Sequence, residues 1–269
     1  MKIGIIGAGN MGEAILKGLL SGAKAYKPKD ITVSDISSKR LRFLKERYGI
    51  NITLYNEEAV ESAGVIILAV KPKDINQAII EIRKYIGRNK LIISIAAGIK
   101  ISFIEKRLLD NVPVIRVMPN MPALVQKGIS AFCAGKHAKS GHKKIAMEIL
   151  SKIGDVVEVK EKAMDVVCAI SGSGPAYFFF LIEELIAIGI KNGLSEEIAR
   201  SLAIKTALGS SMLVSETKEE PADLRRRVTS KGGTTEAAFK VFKKEGLGKI
   251  LEKGVTKAIK RSKELSCLY

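Results

Sequence analysis

Six residues near the start of the chain have the spacing of a loop that binds phosphate. They are Gly7, Ala8, Gly9, Asn10, Met11 and Gly12, which read GxGxxG. The first glycine permits a tight turn, the second lets the backbone approach a pyrophosphate, and the third lets a helix pack closely on the preceding strand. A strand-like run precedes the motif and a helical pattern follows it. The sequence therefore predicts a dinucleotide site rather than a structural turn.

An acidic residue, Asp35, follows at the end of the second predicted strand. At that position a carboxylate binds the ribose hydroxyls of NAD and repels the 2′-phosphate of NADP. Its neighbours could nevertheless hold a phosphate; they are Ser34, Ser37, Ser38, Lys39 and Arg40. Lys39 and Arg40 are equally compatible with the exposed start of a helix. We therefore predict NAD(H) or NADP(H) as the cofactor, in contact with Ser34 and Asp35, and the choice between the two stays open.

Two further stretches lie where predicted strands end, at the edge of the sheet that would face the cofactor. In the first, Pro72 ends a strand and Lys71 brings a cation toward phosphates or a carboxylate. The second, SIAAG at 94–98, has small residues that would let a planar ring lie close. Both are also compatible with ordinary turns between a strand and a helix. The residues predicted here to contact the cofactor are Ala69, Val70, Lys71, Pro72, Ala96 and Ala97.

The elements that must position these residues follow from the apolar pattern. Short, continuously apolar runs alternate with helical patterns, as a parallel sheet covered on both faces requires. We predict a Rossmann-type, doubly wound α/β domain over residues 1–160, with two later strands closing its sheet. The predicted strands are 2–6, 31–34, 65–70, 91–95, 114–118, 129–134 and 156–159.

The second part of the chain, residues 161–269, is predicted to be an all-α domain. Strand patterns stop near residue 164, and a helix-starting Pro175, a helix-ending Gly193 and an N-cap Ser195 are in suitable positions. The first long helix is apolar almost all round at 177–182, more than a small bundle buries alone, which predicts a dimer through this domain. The predicted helices are 175–191, 196–215, 222–228, 234–244 and 247 to the end.

Composition narrows the class of protein. The net charge is +17, but the lysines are scattered rather than gathered in a stripe, so we expect no nucleic-acid partner. The three cysteines are far apart, which suggests neither a metal site nor a disulfide framework. The longest apolar run, 176–190, is interrupted by Glu183 and Glu184, and no signal region opens the chain. We expect a cytoplasmic protein without membrane contact.

Five motifs in order give a specific resemblance. They are VKPKD at 70–74, SIAAG at 94–98, VMPNMPA at 117–123, SGSGPAY at 171–177 and SKGGTTEA at 230–237. Together they resemble pyrroline-5-carboxylate reductase over essentially the whole chain. The resemblance implies a Rossmann domain followed by a helical dimerisation domain. It also implies reduction of pyrroline-5-carboxylate to proline by NAD(P)H, in a homodimer or larger assembly.

The resemblance also implies roles for individual residues. The Thr235 hydroxyl would bond to the substrate's ring nitrogen, and backbone amides near the glycine pair would hold its carboxylate; a glycine pair before a helix start is an anion site by geometry. Asn56 would contact the cofactor. Met121 and Lys231 depart from the family pattern, where Thr and Pro are usual. The implied substrate residues are Ser230, Gly232, Gly233, Thr234 and Thr235.

Two alternatives remain. A β-hydroxyacid dehydrogenase needs a catalytic lysine shortly after the GxG of the second domain, but Phe178 stands there and no lysine occurs before Lys191. A non-catalytic dinucleotide-binding regulatory protein would not need a substrate-carboxylate turn. The two histidines, His137 and His142, are expected to be exposed rather than catalytic.

Overall fold

The computed structural model describes residues 1–22, 25–109 and 111–267. Its centre is one eight-stranded sheet with the strand order β3-β2-β1-β4-β5-β6-β7-β8. The strands are β1 (Ile3–Ile6), β2 (Ile31–Ser34), β3 (Asn51–Thr53), β4 (Val65–Leu68), β5 (Leu91–Ser94), β6 (Val114–Met118), β7 (Gly128–Ala134) and β8 (Gly154–Glu158).

The predicted doubly wound sheet is confirmed. Neighbouring strands from β3 to β6 are parallel, β7 runs antiparallel to β6, and β8 is parallel to β7. The reversal at β7 follows from the short connection after β6, because a parallel return needs a crossover of a dozen or more residues. All seven predicted strands form. Strand β3, absent from the prediction, is a three-residue, partly exposed edge strand without an apolar run.

The central strands have both faces buried, as their continuous apolar runs predict. In β4, Val65 and Ile67 belong to one core cluster, whereas Ile66 and Leu68 belong to the other. Each cluster packs helices on one face of the sheet, so successive side chains point into opposite layers. The helices of this part are α1 (Asn10–Leu19), α2 (Ser38–Tyr48), α3 (Asn56–Glu61), α4 (Ile75–Ile82), α5 (Ile101–Glu105), α6 (Ser140–Leu150) and α7 (Met164–Val167).

The chain divides into two compact units. Unit 1 contains Met1–Ser173 and Ala258–Tyr269, and unit 2 contains Gly174–Lys257. The predicted domain boundary, 160/161, falls before this division, and the end of the last helix belongs to unit 1. The domain boundary between residues 160 and 161 therefore stays a prediction. The two compact units are defined by contacts within the chain, which is a different criterion.

Beyond β8 the described chain has no further strand, and five long or medium helices follow α7. They are α8 (Gly174–Lys191), α9 (Glu196–Thr217), α10 (Pro221–Arg227), α11 (Thr234–Lys244) and α12 (Leu247–Cys267). Each predicted helix is present within two residues of its predicted bounds in the described chain. The Ser195 hydroxyl accepts from the Ile198 amide and caps α9, as predicted. Gly193 has φ +95 just after α8, a conformation that glycine adopts without strain.

Unit 2 exposes an unusually apolar surface. Helices α8 and α9 pack closely where Gly189 faces Ala199, so that a Cβ on Gly189 would lie 3.0 Å from the Cβ of Ala199. The outer side of α8 is left uncovered, and Phe178, Phe179 and Phe180 are each more than half exposed. A contiguous apolar surface of this kind marks an interaction site.

One helical stretch, Glu161–Lys191, is long and apolar enough to cross a membrane by length and composition alone. This helix begins before the apolar run at 176–190 that the sequence analysis singled out. Only 17% of that window is buried within the chain. A helix that a second subunit covers has the same composition.

Candidate active site

The glycine loop connects β1 to α1 in unit 1, and its geometry explains each glycine. Gly7 has φ +102, which disfavours any side chain. A Cβ on Gly12 would lie 2.2 Å from the carbonyl oxygen of Gly7, so only glycine lets α1 approach the loop. A Cβ on Gly9 would meet no atom within 4 Å. The loop is therefore close-packed on its protein side and open above Gly9, as a pyrophosphate requires.

Asp35 supports this loop from the end of β2. Its carboxylate accepts a hydrogen bond from the Ala8 amide at 2.7 Å and one from the Ser37 amide at 2.8 Å. Bonds to backbone amides fix the carboxylate in one place. Asp35 therefore sits at the predicted position and also holds the glycine loop.

Arg40 binds groups of the protein itself. Its Nε donates to the Ala8 carbonyl at 2.7 Å, and its Nη2 pairs with the carboxylate of Glu13. Tyr48 also donates to Glu13. Partial burial opposes ionisation of Glu13, but these hydrogen bonds and the nearby guanidinium charges lower its pKa. Arg40 thus joins α1 and α2 to the loop.

A chain of polar side chains crosses the cleft beside the loop. The buried Ser34 hydroxyl donates to Oδ1 of Asn56 at 2.7 Å, and Nδ2 of Asn56 donates to Glu81 at 2.6 Å. Gln77 donates to the other oxygen of Glu81 at 2.8 Å. Because a carboxylate is an acceptor only, Glu81 fixes which end of the Asn56 amide faces Ser34.

These residues line one cleft of about 490 Å³ at the carboxyl ends of β1, β2 and β4. In a doubly wound sheet, ligands bind at this edge, where the strand order reverses between β1 and β4. The cleft brings together eight of the predicted cofactor residues, Gly7, Gly9, Ser34, Asp35, Asn56, Ala69, Val70 and Lys71.

The other predicted cofactor residues lie outside the lining. Ala8 contributes its backbone to Asp35 and Arg40, and Gly12 is buried against Gly7. Asn10 and Met11 form the first turn of α1, and Pro72 opens a short 3-10 helix. Lining residues that the sequence did not single out are Ile6, Ile36, Lys73, Asp74, Gln77, Ala78 and Glu81. Helical spacing after VKPKD, with 74, 77, 78 and 81 on one face, could have revealed four of them.

The predicted ring-facing stretch follows β5. Ala96 is buried, Ala97 is partly exposed, and Gly98 turns the chain with φ +78. Strand β6 pairs with β5, so the motif at 117–123 ends at the same edge of the sheet. There Asn120 contacts the first serine of SGSGPAY, with 3.3 Å between its Nδ2 and Oγ of Ser171. Two motifs far apart in sequence therefore meet in unit 1.

The glycine-pair turn in unit 2 has the geometry of an anion site, with one change from expectation. Gly232 has φ +74, and a Cβ on Gly233 would lie 2.4 Å from Oγ of Ser230. The Gly232 amide donates to Glu236 at 2.9 Å, and the Gly233 amide donates to the Ser230 carbonyl at 3.1 Å. The glycine amides are thus already occupied by the chain itself.

The first turn of α11 supplies free amides instead. Within the described chain, no group accepts from the backbone amides of Thr234, Thr235 or Glu236. The first amides of a helix point outward and attract anions. The hydrogen bond from Gly232, followed by the Lys240 side chain, lowers the pKa of Glu236, so this helix start carries a carboxylate of its own. Thr235 is half-buried in the same turn.

The two residues that depart from the family pattern are both exposed. Met121 begins a 3-10 helix and is exposed, and Lys231 is exposed in the turn. The expectation that both histidines are exposed was wrong, since each is partly buried. Nδ1 of His142 accepts from the Lys139 amide at 3.0 Å and caps α6.

Sheet, glycine loop and cleft together define the class: a dinucleotide-dependent oxidoreductase. A family model described as NADP oxidoreductase, coenzyme F420-dependent, matches residues 2–98. A second, described as pyrroline-5-carboxylate reductase dimerisation, matches residues 161–265.

Full-length relatives specify the family. A pyrroline-5-carboxylate reductase from Synechocystis is 40% identical over 98% of both chains. The structure of a pyrroline-5-carboxylate reductase from Coxiella burnetii has a TM-score of 0.89 at 36% identity, covering 98% of both chains. The Plasmodium falciparum pyrroline carboxylate reductase, solved with NADP bound, has a TM-score of 0.89 at 32% identity and covers 99% of this chain and 98% of that one. The chain belongs to the pyrroline-5-carboxylate reductase family. Its dimerisation domain includes the exposed apolar face of α8, so the chain self-associates.

Proposed function

We infer that this protein reduces 1-pyrroline-5-carboxylate to L-proline with NAD(P)H, the last step of proline biosynthesis. The observation that carries this inference is a family similarity that extends over 98% of the chain. It therefore spans both the glycine loop and the glycine-pair turn.

The cofactor fits the cleft of unit 1. When bound, the nicotinamide supplies the hydride that reduces the C=N bond. The positive end of α1 and the open backbone at Gly9 would hold the pyrophosphate. Ser34, Asp35 and Asn56 line this cleft and would contact the ribose, and Lys71 would add a cation to it.

The substrate is assigned to the start of α11. The amides of Thr234, Thr235 and Glu236 hold the carboxylate, and the Thr235 hydroxyl bonds to the ring nitrogen. A cyclic imine is basic enough to be protonated readily, so the site needs a positioned hydroxyl rather than a strong general acid. Reaction also requires the imine carbon of the substrate to lie about 3–3.5 Å from the hydride donor in the assembled enzyme.

The sequence of α8 argues against the alternative reaction, oxidation of an alcohol. A developing alkoxide needs a general acid near the cofactor, and Phe178 stands where a β-hydroxyacid dehydrogenase has lysine. Helix α8 has no lysine before Lys191, its last residue.

A turnover assay tests the function. Absorbance of NADH and NADPH should fall when pyrroline-5-carboxylate is added, with one proline formed per cofactor consumed. The same enzyme with 3-hydroxyacids and NAD(P)⁺ should give no signal. Consumption with the hydroxyacids and none with the imine would overturn the assignment.

The proposal includes a homodimer or larger assembly in the cytoplasm, acting without nucleic acid or a membrane. Its support is the apolar groove of about 480 Å³ between α8 and α9, which a second subunit would fill. Three free thiols, at Cys133, Cys168 and Cys267, fit a reducing compartment.

A further inference from the structure

We propose that Asp35 makes this enzyme prefer NADH to NADPH, an inference that rests on the proposed function and specifies its cofactor. The sequence leaves this choice open, because an acid at the end of β2 favours NAD while the neighbouring serines and basic residues could bind a 2′-phosphate. The hydrogen bonds around Asp35 resolve the conflict.

Asp35 is an immobile acceptor on the cofactor side of β2. One oxygen accepts from the Ala8 amide at 2.7 Å and the other from the Ser37 amide at 2.8 Å. Each oxygen keeps a lone pair, so the carboxylate can still accept from the two ribose hydroxyls. A 2′-phosphate in the same place would bring two anions together, and the two backbone bonds keep the carboxylate from turning away.

Two of the residues that could bind a 2′-phosphate, Arg40 and Ser37, already bind other parts of the chain. Arg40 donates to the Ala8 carbonyl and pairs with Glu13, so Nε and Nη2 of its guanidinium are occupied by groups of the protein. The Ser37 amide is bound to Asp35, and the Ser37 hydroxyl accepts from the Arg40 amide at 3.3 Å. Neither Lys39 nor Arg40 lines the cleft.

The cleft as a whole is also unfavourable to an additional phosphate. Its lining carries two lysines and three carboxylates, which are Lys71, Lys73, Asp35, Asp74 and Glu81. The pyrophosphate common to both cofactors would itself bind the lysines and the α1 N-terminus. An additional phosphate would therefore meet a net negative lining.

Two features of the chain favour binding of NADPH, and both have a smaller effect than the repulsion between Asp35 and a 2′-phosphate. The chain's net charge of +17 attracts the more anionic cofactor, but charges further away than about 8–10 Å are screened at ordinary salt. Ser38 and Lys39 are exposed at the start of α2. One solvated lysine beside a fixed carboxylate offers little net attraction.

Equilibrium binding tests the preference without turnover. The Kd of NADH and of NADPH would be measured by titrating the protein against the cofactor's own fluorescence. A divalent anion beside one carboxylate in solvent implies about tenfold tighter binding of NADH. Equal affinity, or tighter binding of NADPH, would overturn the proposal whatever substrate the enzyme reduces.

Two variants identify the responsible residue. Asp35→Asn keeps the size and one acceptor oxygen, and should reduce the NADH-to-NADPH affinity ratio about tenfold. Arg40→Gln is the matched control and should leave that ratio within about twofold, whatever it does to both affinities. A selective loss of NADPH binding in the Arg40 variant would show that Arg40 holds the phosphate, and would contradict the proposal.

Salt provides a second readout on the wild-type protein. Repulsion at the 2′-phosphate weakens as salt rises, so the NADH-to-NADPH ratio should narrow between about 0.15 M and 1 M ionic strength, a range in which the chain's more distant positive charges are already screened. Attraction by Lys39 would widen the ratio instead, and that result would also contradict the proposal. An enzyme that shows the predicted ratio but no activity toward the imine would overturn the proposed function alone.

Discussion

At the scale of single residues, the account gives one hydroxyl a specific chemical task. Thr235 lies in the first turn of α11, half-buried, beside backbone amides that the chain leaves unoccupied. The hydroxyl needs only to stay in place against a ring nitrogen, because protonation of an imine is easy. Its contribution is therefore that of one well-placed hydrogen bond.

Removal of this hydroxyl should slow turnover without lowering the enzyme's affinity for the cofactor. Thr235→Ala should lower kcat/KM for pyrroline-5-carboxylate about 10- to 100-fold, the value of a hydrogen bond of about 1–3 kcal/mol. Thr235→Ser retains the hydroxyl and is the matched control. Steady-state kinetics and cofactor titration would measure both effects. Wild-type kinetics in the alanine variant would remove Thr235 from the reaction.

The positions of such residues could be predicted from sequence, but their partners could not. Asp35 was found from its spacing after the glycine loop. Its bond to Ala8 joins residues 27 apart, and the bond from Asn56 to Glu81 joins residues 25 apart. Nothing in a local pattern encodes such pairings, since they depend on how β2, α3 and α4 come together. The same limit applies to the Gly232 amide, which Glu236 occupies.

At the scale of elements, the start of each functional helix depends on glycines with different tasks. Gly12 allows α1 to approach the loop, whereas Gly9 leaves room above it. The two are close in sequence and both have helix-compatible or extended backbone. They therefore offer a paired test of packing against binding.

Gly12→Ala should destabilise unit 1, and Gly9→Ala should not. The added Cβ at Gly12 would lie 2.2 Å from a backbone oxygen, and such overpacking costs about 1–3 kcal/mol. At Gly9 the Cβ has open space, so thermal stability should stay within about 0.5 kcal/mol of wild type. The added Cβ would, however, occupy space that the cofactor needs, and it should raise the Kd of the cofactor about tenfold or more. Calorimetry and cofactor titration measure the two effects; unchanged cofactor affinity in Gly9→Ala would place the pyrophosphate elsewhere.

The turn before α11 is expected to depend on its carboxylate cap. Glu236→Ala removes the acceptor of the Gly232 amide and should raise the KM for pyrroline-5-carboxylate about 3- to 10-fold, since the helix start loses the side chain that caps this turn. Glu236→Gln keeps an acceptor oxygen and should change the KM less. Steady-state kinetics of the two variants test this prediction. An equal rise of the KM in both would mean that the turn depends on the charge of Glu236 and not on its hydrogen bond.

Element positions were largely predictable because buried parallel strands need continuous apolar runs. Strand β3 escaped because a short edge strand pairs through its backbone and needs no such run. The direction of β7 depends on the length of the connection after β6 rather than on the strand's own residues. These are properties of the assembled sheet.

At the scale of the whole molecule, the apolar surface of α8 dominates. Its large side chains stay exposed in the single chain, within the segment that matches the family's dimerisation domain. The sequence predicted that this helix forms an interface, since a helix that is apolar on every side needs another surface to cover it. What covers it could not be read from one chain's pattern, because a membrane helix has the same composition.

A charge on this surface should separate the subunits. Phe180→Glu, at a side chain 61% exposed in the single chain, should shift the protein from dimer or larger toward monomer in size-exclusion chromatography with light scattering. Met147→Glu introduces the same charge at a 45% exposed position on α6 and should leave the assembly intact. An unaltered mass for Phe180→Glu would mean that another surface holds the subunits together.

The central claim is that the enzyme transfers a hydride directly to the carbon of a cyclic imine. The most direct measurement uses NADH or NADPH carrying deuterium on the transferred position of the nicotinamide, with pyrroline-5-carboxylate as substrate and NMR of the product. The account predicts proline with one deuterium on C5, the former imine carbon, and none elsewhere. Cofactor oxidation that yields proline without deuterium at C5, or no proline, would contradict it.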